Sequence, residues 1–552
     1  MNNFKKTEDS SLPGHWHNSR MVEGCLFLLI ILIEAGIFIY LILERRMVGG
    51  HDGFQYFTIQ YSFLNNVVNY GEIPQWTPFM TQGTFAAIGY VPFNGILQNI
   101  LFLFGGLLKN INILPLFYAG IFFDELLLLT GVWLLGRRFF ASPFTVFFVS
   151  LSIMGSCIWV LQPWWNFHIY YAIPLILYFI HTFLDSGKWR YYFLAGNLLF
   201  IQCLGNLPYI LPVTTLVIFL YFIFYFAFNF NDALQKIKSI QFGWSFIFIT
   251  LLIILIFIAL YTVMDVGDQF VNFSQRNPDG TSTLDLFLAY GGKFNWLSWL
   301  EIFLRFSPCL DYTLYMGIMS VPFILMGLIF NLNRQNIHFH LTVIILLLFS
   351  MGTCVSVFFY HSWPMMKFFR HLMLVSPIIK VFLCFLAGFG FDALFFKKTR
   401  WKEKPLITKD ALFLMSMLML GLLFFSLILS DYIQLGTHFI RSVRPEKLSF
   451  FRTSFNENIL NDVLQYTSFF ALIFFTLFIV MIFVNRKKYF LPLAISLLIL
   501  HFADIYGFKF SEIRFKTVSL NERLYQITKF QSMPYSTRRD VSFWENNPRA
   551  EL

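Results

Sequence analysis

The chain has 552 residues, of which 57% are hydrophobic and 13% charged. No soluble fold of this length hides so much apolar surface, so a polytopic membrane protein is the class that remains. The formal charge of +10 falls mostly in short loops between apolar runs, which fits topology signals and removes the case for a nucleic-acid partner.

Residues 1–21 read as a cytoplasmic tail ahead of a first span, Val22–Leu43. That run is too long for a cleavable signal peptide, and no small-residue cleavage site follows it. It ends in Glu44-Arg45-Arg46 and continues into Gly49-Gly50-His51-Asp52-Gly53-Phe54. Residues 54–70 interleave aromatic and aliphatic side chains with Gln and Asn, the pattern of an amphipathic helix lying on the membrane surface. Gly71-Glu72-Ile73-Pro74-Gln75-Trp76 turns the chain, with Trp76 as an interfacial anchor. The stretch 90–108 carries Pro92, Asn94, Gln98 and Asn99 and is placed as a re-entrant or interfacial helix.

Further apolar runs lie near 114–136, 143–161, 169–184, 191–206, 209–228, 243–264, 314–332, 340–358, 371–394, 411–429, 467–484 and 489–505. With the first span they make about thirteen crossings, each near the ~20 residues a helix needs to traverse hydrocarbon. The fold class expected is therefore all-α, an integral membrane bundle over 22–505 with an interfacial helical first outer loop, 44–113. A cytoplasmic N-terminus puts Arg137-Arg138, Lys188 with Arg190, Lys236 with Lys238, Arg334, Lys397-Lys398 and Arg486-Lys487-Lys488 inside, as the positive-inside rule asks. Outside fall 44–113, the turn 162–168, the long loop 265–313, the segment 360–370, the loop 430–466 and a short tail, 506–552.

Chemistry-bearing residues gather on that outer side. A carboxylate at the membrane boundary, such as Asp52, can accept a proton from an acceptor hydroxyl. Its flanking glycines let a substrate approach the backbone; the same Asp-Gly pair can equally cap the helix that follows. Arg45 and Arg46 break the charge rule, which suits anion binding or snorkelling at a helix end. Asp124 and Glu125 sit inside the second predicted span, where ionisable groups face a polar cavity or a partner, Lys380 being the partner at hand. Asn166 and His168 can bind a sugar or phosphate, or serve as structural hydrogen-bonding groups. Lys367 and Arg370 stand where a guanidinium can take a phosphate through paired hydrogen bonds, or anchor a helix end. His51 beside Asp52 leaves a divalent metal open, but two residues do not make a site, and no HExxH or nucleotide fingerprint is present. Six cysteines, at 25, 157, 203, 309, 354 and 384, show no ligand spacing and read as packing residues.

Four short motifs in collinear order resemble the GT-C superfamily of polyprenol-phosphate-dependent glycosyltransferases, and within it the YfhO-like membrane proteins. The first is His51-Asp52-Gly53-Phe54-Gln55-Tyr56 with Gly71-Glu72-Ile73-Pro74-Gln75-Trp76-Thr77-Pro78 and Gln82-Gly83. The second is Gly205-Asn206-Leu207-Pro208-Tyr209, the third Tyr315-Met316-Gly317-Ile318. The fourth runs from Phe368-Phe369-Arg370-His371 to Ala387-Gly388-Phe389-Gly390-Phe391-Asp392. The resemblance implies a lipid-linked sugar donor and an outer-surface glycan, lipid or protein acceptor. It further implies an inverting displacement with Asp52 as base, in a bacterial plasma membrane. On it, Asn206 and Tyr209 join the substrate-binding set, while Arg370 and Arg45 hold the lipid phosphate. The chain departs from the family in lacking an acidic residue in the second outer turn, where His168 stands nearest. Two alternatives stay open: a flippase for a lipid-linked saccharide, drawing on Asp124, Glu125 and Lys380, and a non-catalytic envelope scaffold.

Overall fold

In a computed structural model, the described residues are 20–48, 57, 76–77, 84–85, 113–161, 168–203, 207–240, parts of 243–304, 313–330, 332–334, 336–396, 409–440, 457–483 and 486–519. The protein is a helical membrane bundle. Among the described residues, seven helices are long and apolar enough to cross a membrane: Arg20–Leu43, Leu114–Phe139, Ile169–Ser186, Ile210–Phe228, Leu372–Phe395, Leu464–Phe483 and Leu491–Lys516. A pair bent by 92°, Ile337–Ser350 with Cys354–Ser362, makes an eighth if taken as one broken span. Shorter apolar helices account for other predicted crossings, so the expected count of about thirteen is not reproduced by full-length helices. The predicted crossing 243–264 and the interfacial helix 54–70 lie almost wholly outside the described residues. Within the first loop, β2 (Trp76–Thr77) pairs antiparallel with β3 (Thr84–Phe85).

Helix α1 (Arg20–Leu43) and α2 (Ile113–Phe139) run antiparallel, and their side chains meet in rungs. At one end Glu23 bridges Arg137 at 2.9 Å and accepts from the Trp133 indole at 3.2 Å. In the middle Phe38 packs edge-on against Phe122. At the other end the Tyr118 hydroxyl donates to the Arg46 carbonyl at 2.7 Å. Three carboxylates in the same pair of helices, Glu34, Asp124 and Glu125, are buried.

The chain then enters α3 (Pro143–Met154), whose start is capped twice. Ser142 accepts from the Phe144 amide, and Asp392 accepts from the Ala141 amide and the Thr145 hydroxyl. Proline at the first turn suits a position whose amide has no intrahelical partner. Helix α3 stops after twelve residues, before completing a crossing, and the chain resumes as α4 (Ile158–Leu161). Irregular backbone at this depth survives only if its polar groups are satisfied inside the protein. They are: the Trp159 indole donates to the Ile153 carbonyl at 2.8 Å, and Lys509 donates to the Met154 carbonyl at 2.8 Å.

Helices α5 (His168–Ser186), α6 (Trp189–Cys203), α7 (Leu207–Phe228) and the surface helix α8 (Phe230–Ser239) follow. After α9 (Leu284–Ala289) come α10 (Ser320–Phe330), α11 (Ile337–Ser350) and α12 (Cys354–Ser362). Helix α13 (Ser376–Phe395) is buried along its whole length and forms the axis of the bundle. Two glycines let it cross α10 closely: a Cβ on Gly390 would fall 1.8 Å from the Phe323 carbonyl oxygen. Phenylalanines fill the surrounding core, as where Phe148 stacks on Phe391 at 4.8 Å and meets Phe323 edge-on. Helices α14 (Lys409–Ile440) and α15 (Glu457–Phe483) pair with one another, and the Ser426 and Ser468 hydroxyls share a hydrogen bond of 2.8 Å. Large apolar side chains on their outward faces, including Phe424, Ile428, Phe469 and Phe483, are exposed as a lipid-facing surface requires.

Helix α16 corrects the reading of the C-terminal part. The apolar pattern ends its span at 505, but the helix runs Arg486–Lys516. Residues assigned to a polar tail therefore belong to the bundle, and Tyr506 and Lys509 are buried in it. The chain continues as β4 (Thr517–Ser519), which pairs antiparallel with β1 (Arg46–Val48). The first and last described helices are tied together by that ribbon.

Basic side chains ring the end of the bundle at which α1 begins. Arg138 pairs with Asp185, Lys236 bridges Asp185 at 3.2 Å and Asp232 at 2.5 Å, and the Asn229 amide donates to the Arg334 carbonyl. Partial burial alone would lower the Lys236 pKa, but hydrogen bonds to Asp232 and Tyr225 and the charge of Asp185 hold it above the ordinary lysine value.

Candidate functional site

At its far end α1 closes with Arg45 in the left-handed region, at φ 48°, a conformation uncommon outside glycine. The turn redirects the chain into β1 and leaves the Arg45 side chain exposed. Arg46 is fixed instead. Its Nε donates to the Thr517 hydroxyl at 2.8 Å, and its Nη2 donates to the Arg514 and Thr517 carbonyls at 2.8 Å each. Of the two arginines predicted to bind an anion, Arg46 has become part of the scaffold and Arg45 faces outward. The ribbon brings Arg514 and Lys516 to the same end, which no sequence pattern announced because they fell beyond the predicted last span. Lys516 bridges Glu512 at 2.7 Å, and Arg514 is exposed. His51 and Asp52 lie outside the described residues. The four residues of chain from Val48 to Asp52 reach at most about 14 Å.

Asp124 and Glu125 sit near the middle of α2, about 17–18 Å from its start and about 21–23 Å from its end at ~1.5 Å per residue. Both are buried. Their neighbour is not Lys380. Lys509 donates to Glu34 at 2.5 Å and stands 3.8 Å from Glu125, while Tyr506 donates to Glu34 at 2.7 Å. Asp124 accepts from the Gln202 amide at 3.4 Å. Lys380 donates to the Tyr315 carbonyl. Glu34, solitary by sequence, thus has its partner 475 positions away. Only the spacing of Tyr506, Phe508, Lys509 and Ile513 could have signalled that the last helix continues.

Two motifs that carried the family resemblance have structural work. The Tyr315 hydroxyl donates to Asp504, and the Ile318 amide donates to the same carboxylate at 2.9 Å. Between them Gly317 takes φ 90°, and a Cβ there would meet His501 at 2.7 Å. Asp392 of the fourth motif caps α3, and Gly388 admits Val149 and Phe140.

Lys367 lies within a short 3-10 turn, Met366–Phe368, entered through Met365 at φ 60°, and Arg370 follows it by two residues. The Lys367 side chain is exposed, with its ammonium 5.9 Å from the Tyr360 ring centre. Its carbonyl accepts from the Ser282 amide at 2.7 Å, and the Tyr360 hydroxyl donates to the Ser282 carbonyl. The described piece of the long loop is thereby docked on this segment. Trp363 donates to the Pro212 carbonyl near the start of α7. These contacts place Lys367 and Arg370 with α7, α11 and α12, whereas Arg45 and Arg46 belong with α1, α2 and α16. Asn166 and Asn206 lie outside the described residues, and His168 and Tyr209 are described only as backbone within α5 and α7. Among the described residues, no group of three or more His, Cys, Asp or Glu could hold a metal ion.

No protein-family model matches this chain. No curated protein matches it significantly. Among solved structures, ArnT from Cupriavidus metallidurans in the apo state aligns with it at a TM-score of 0.43 and 13% identity, covering 89% of this chain and 77% of that one.

Proposed function

We propose that this chain is a membrane glycosyltransferase of the GT-C type, YfhO-like, that takes a sugar from a polyprenyl-phosphate donor. The acceptor hydroxyl attacks the anomeric carbon while the bond to the phosphate oxygen breaks. Asp52 takes the hydroxyl proton, and the phosphate leaves with the bonding electrons and a growing negative charge. Arg45 meets that charge from one side, and Lys367 and Arg370 from the other, as cations set beside a leaving group do. His51, Asn166, His168, Asn206 and Tyr209 hold the sugar and headgroup. The reaction occurs on the extracytoplasmic face of a bacterial plasma membrane.

The observation that carries this proposal is the ribbon of β1 and β4. It gathers Arg45, Arg46, Arg514 and Lys516 at one end of the bundle, a few residues ahead of Asp52 in the chain. Arg46 is bonded into the ribbon and Lys516 pairs with Glu512, while Arg45 and Arg514 present exposed side chains that suit a lipid phosphate. The opposite end carries Arg137, Arg138, Lys236 and Arg334, of which three are in ion pairs with acidic neighbours.

The deciding experiment uses Asp52→Asn in membranes supplied with a labelled polyprenyl-phosphate sugar. Donor binding is expected to persist and transfer to be lost. Transfer by the variant at the wild-type rate would refute the assignment.

A further inference from the structure

The charged groups buried at mid-depth do not balance if each keeps its usual state. Glu34, Glu125 and Lys509 are 1%, 1% and 0% exposed. Glu34 receives two donors, the Lys509 ammonium on Oε2 at 2.5 Å and the Tyr506 hydroxyl on Oε1 at 2.7 Å. It is the satisfied anion of the group. Glu125 differs: both of its oxygens are buried and meet no hydrogen-bond donor among the described residues. Its nearest cation is the same ammonium, 3.8 Å away and already engaged with Glu34 and the Met154 carbonyl. Its carboxyl faces that of Glu34 across the shared ammonium, whose Nζ is 2.5 Å from Glu34 and 3.8 Å from Glu125.

The other titratable groups around it, among the described residues, supply no further cation to Glu125. Asp124, the adjacent residue of α2, adds a further acid. The Tyr171 hydroxyl on α5 donates a hydrogen bond to the Trp159 carbonyl, and the Tyr506 hydroxyl on α16 donates one to Glu34. Cys157, ahead of α4, is near Lys509 and supplies no cation. An ionised Glu125 would be a second anion facing the first with one ammonium between them, in a place water does not reach. A carboxylic acid brings its own O–H, and an ionised Glu34 has acceptor sites to spare.

We propose that Glu125 is a proton-binding site within the membrane, its carboxyl held protonated and donating to Glu34, so that the three side chains carry one negative charge against one positive. The occupant is a proton and not a metal ion, because the Lys509 ammonium already fills the place between the carboxyl groups. The proposal rests on the fold alone and stands apart from the transferase assignment.

Infrared difference spectra of the full chain in lipid nanodiscs at neutral pH test it. A carboxylic-acid carbonyl stretch is expected in the wild type and should vanish in E125Q. It should vanish also in E34Q, where Glu125 becomes the single anion facing Lys509, and persist in D124N. Retention of the band in E125Q, or its loss in D124N alone, would overturn the proposal. If E125Q does not fold, the E34Q spectrum decides: loss of the band supports the site and retention refutes it.

Discussion

Lysine 509 gives the sharpest test of how this bundle is held together. Its ammonium lies 2.5 Å from Glu34 and 2.8 Å from the Met154 carbonyl, with no exposure. At that separation and an effective dielectric of ~20, the ion pair attracts with roughly 7 kcal/mol. Most of this offsets the several kcal/mol needed to dehydrate each ion. Deleting one partner leaves the dehydration of the other uncompensated, so K509M should lose about 3–5 kcal/mol. The variant E34Q should lose less, because Glu125 can then serve as the anion for Lys509. The double variant K509M/E34Q should recover most of the loss, since it removes both charges together. Equilibrium unfolding in mixed micelles, run as a double-mutant cycle, measures all three. A K509M protein within about 0.5 kcal/mol of wild type, the range of an ordinary surface change, would refute the reasoning. So would a double variant no more stable than K509M.

Three further outcomes follow from the same packing. Asp392→Ala removes the acceptor for the Ala141 amide and the Thr145 hydroxyl and should cost about 2–3 kcal/mol, with D392N milder, in the same unfolding assay. Gly390→Ala drives a methyl onto the Phe323 carbonyl and should cost more than about 1–3 kcal/mol, whereas G36A, with nothing within 4 Å, should be neutral or slightly stabilising. Lys236, held above the ordinary lysine pKa, contributes stability that is complete below pH ~10.4 and is lost only as pH rises further. A K236M variant should therefore differ from wild type by up to about 1 kcal/mol at neutral pH and converge with it in strong alkali, as unfolding midpoints across pH would show.

The apolar runs made most of the helices legible, because a crossing must be long and greasy whatever it packs against. They failed where tertiary contacts override hydropathy. Helix α3 ends early because Lys509 and Trp159 satisfy the carbonyls it leaves open, and Lys509 lies 355 positions further along the chain. Helix α16 runs past its apolar pattern because Tyr506 and Lys509 face inward to Glu34. Asp124 and Glu125 were recognisable as unusual, but Lys380 was the partner at hand, because Lys509 fell in an assumed polar tail. Of the predicted anion-binding pair, Arg45 and Arg46 look alike on paper. A left-handed turn between α1 and β1 is what sends one outward and the other into the scaffold. Asp52 and its neighbours rest on motif order alone.

The pairing of Glu34 with Lys509 also sets a condition on biogenesis. The first helix is synthesised with an acid in its apolar face, and its basic mate is the 475th residue after it. At ~5–20 residues per second, translation needs roughly 25–95 s to deliver that mate. Throughout that interval the newborn segment must shelter a polar group without help from the end of the chain. An insertase or chaperone lining that accepts a neutralised carboxyl would meet the need, and messages truncated before the final helix should leave the first segment slow to leave the insertion machinery.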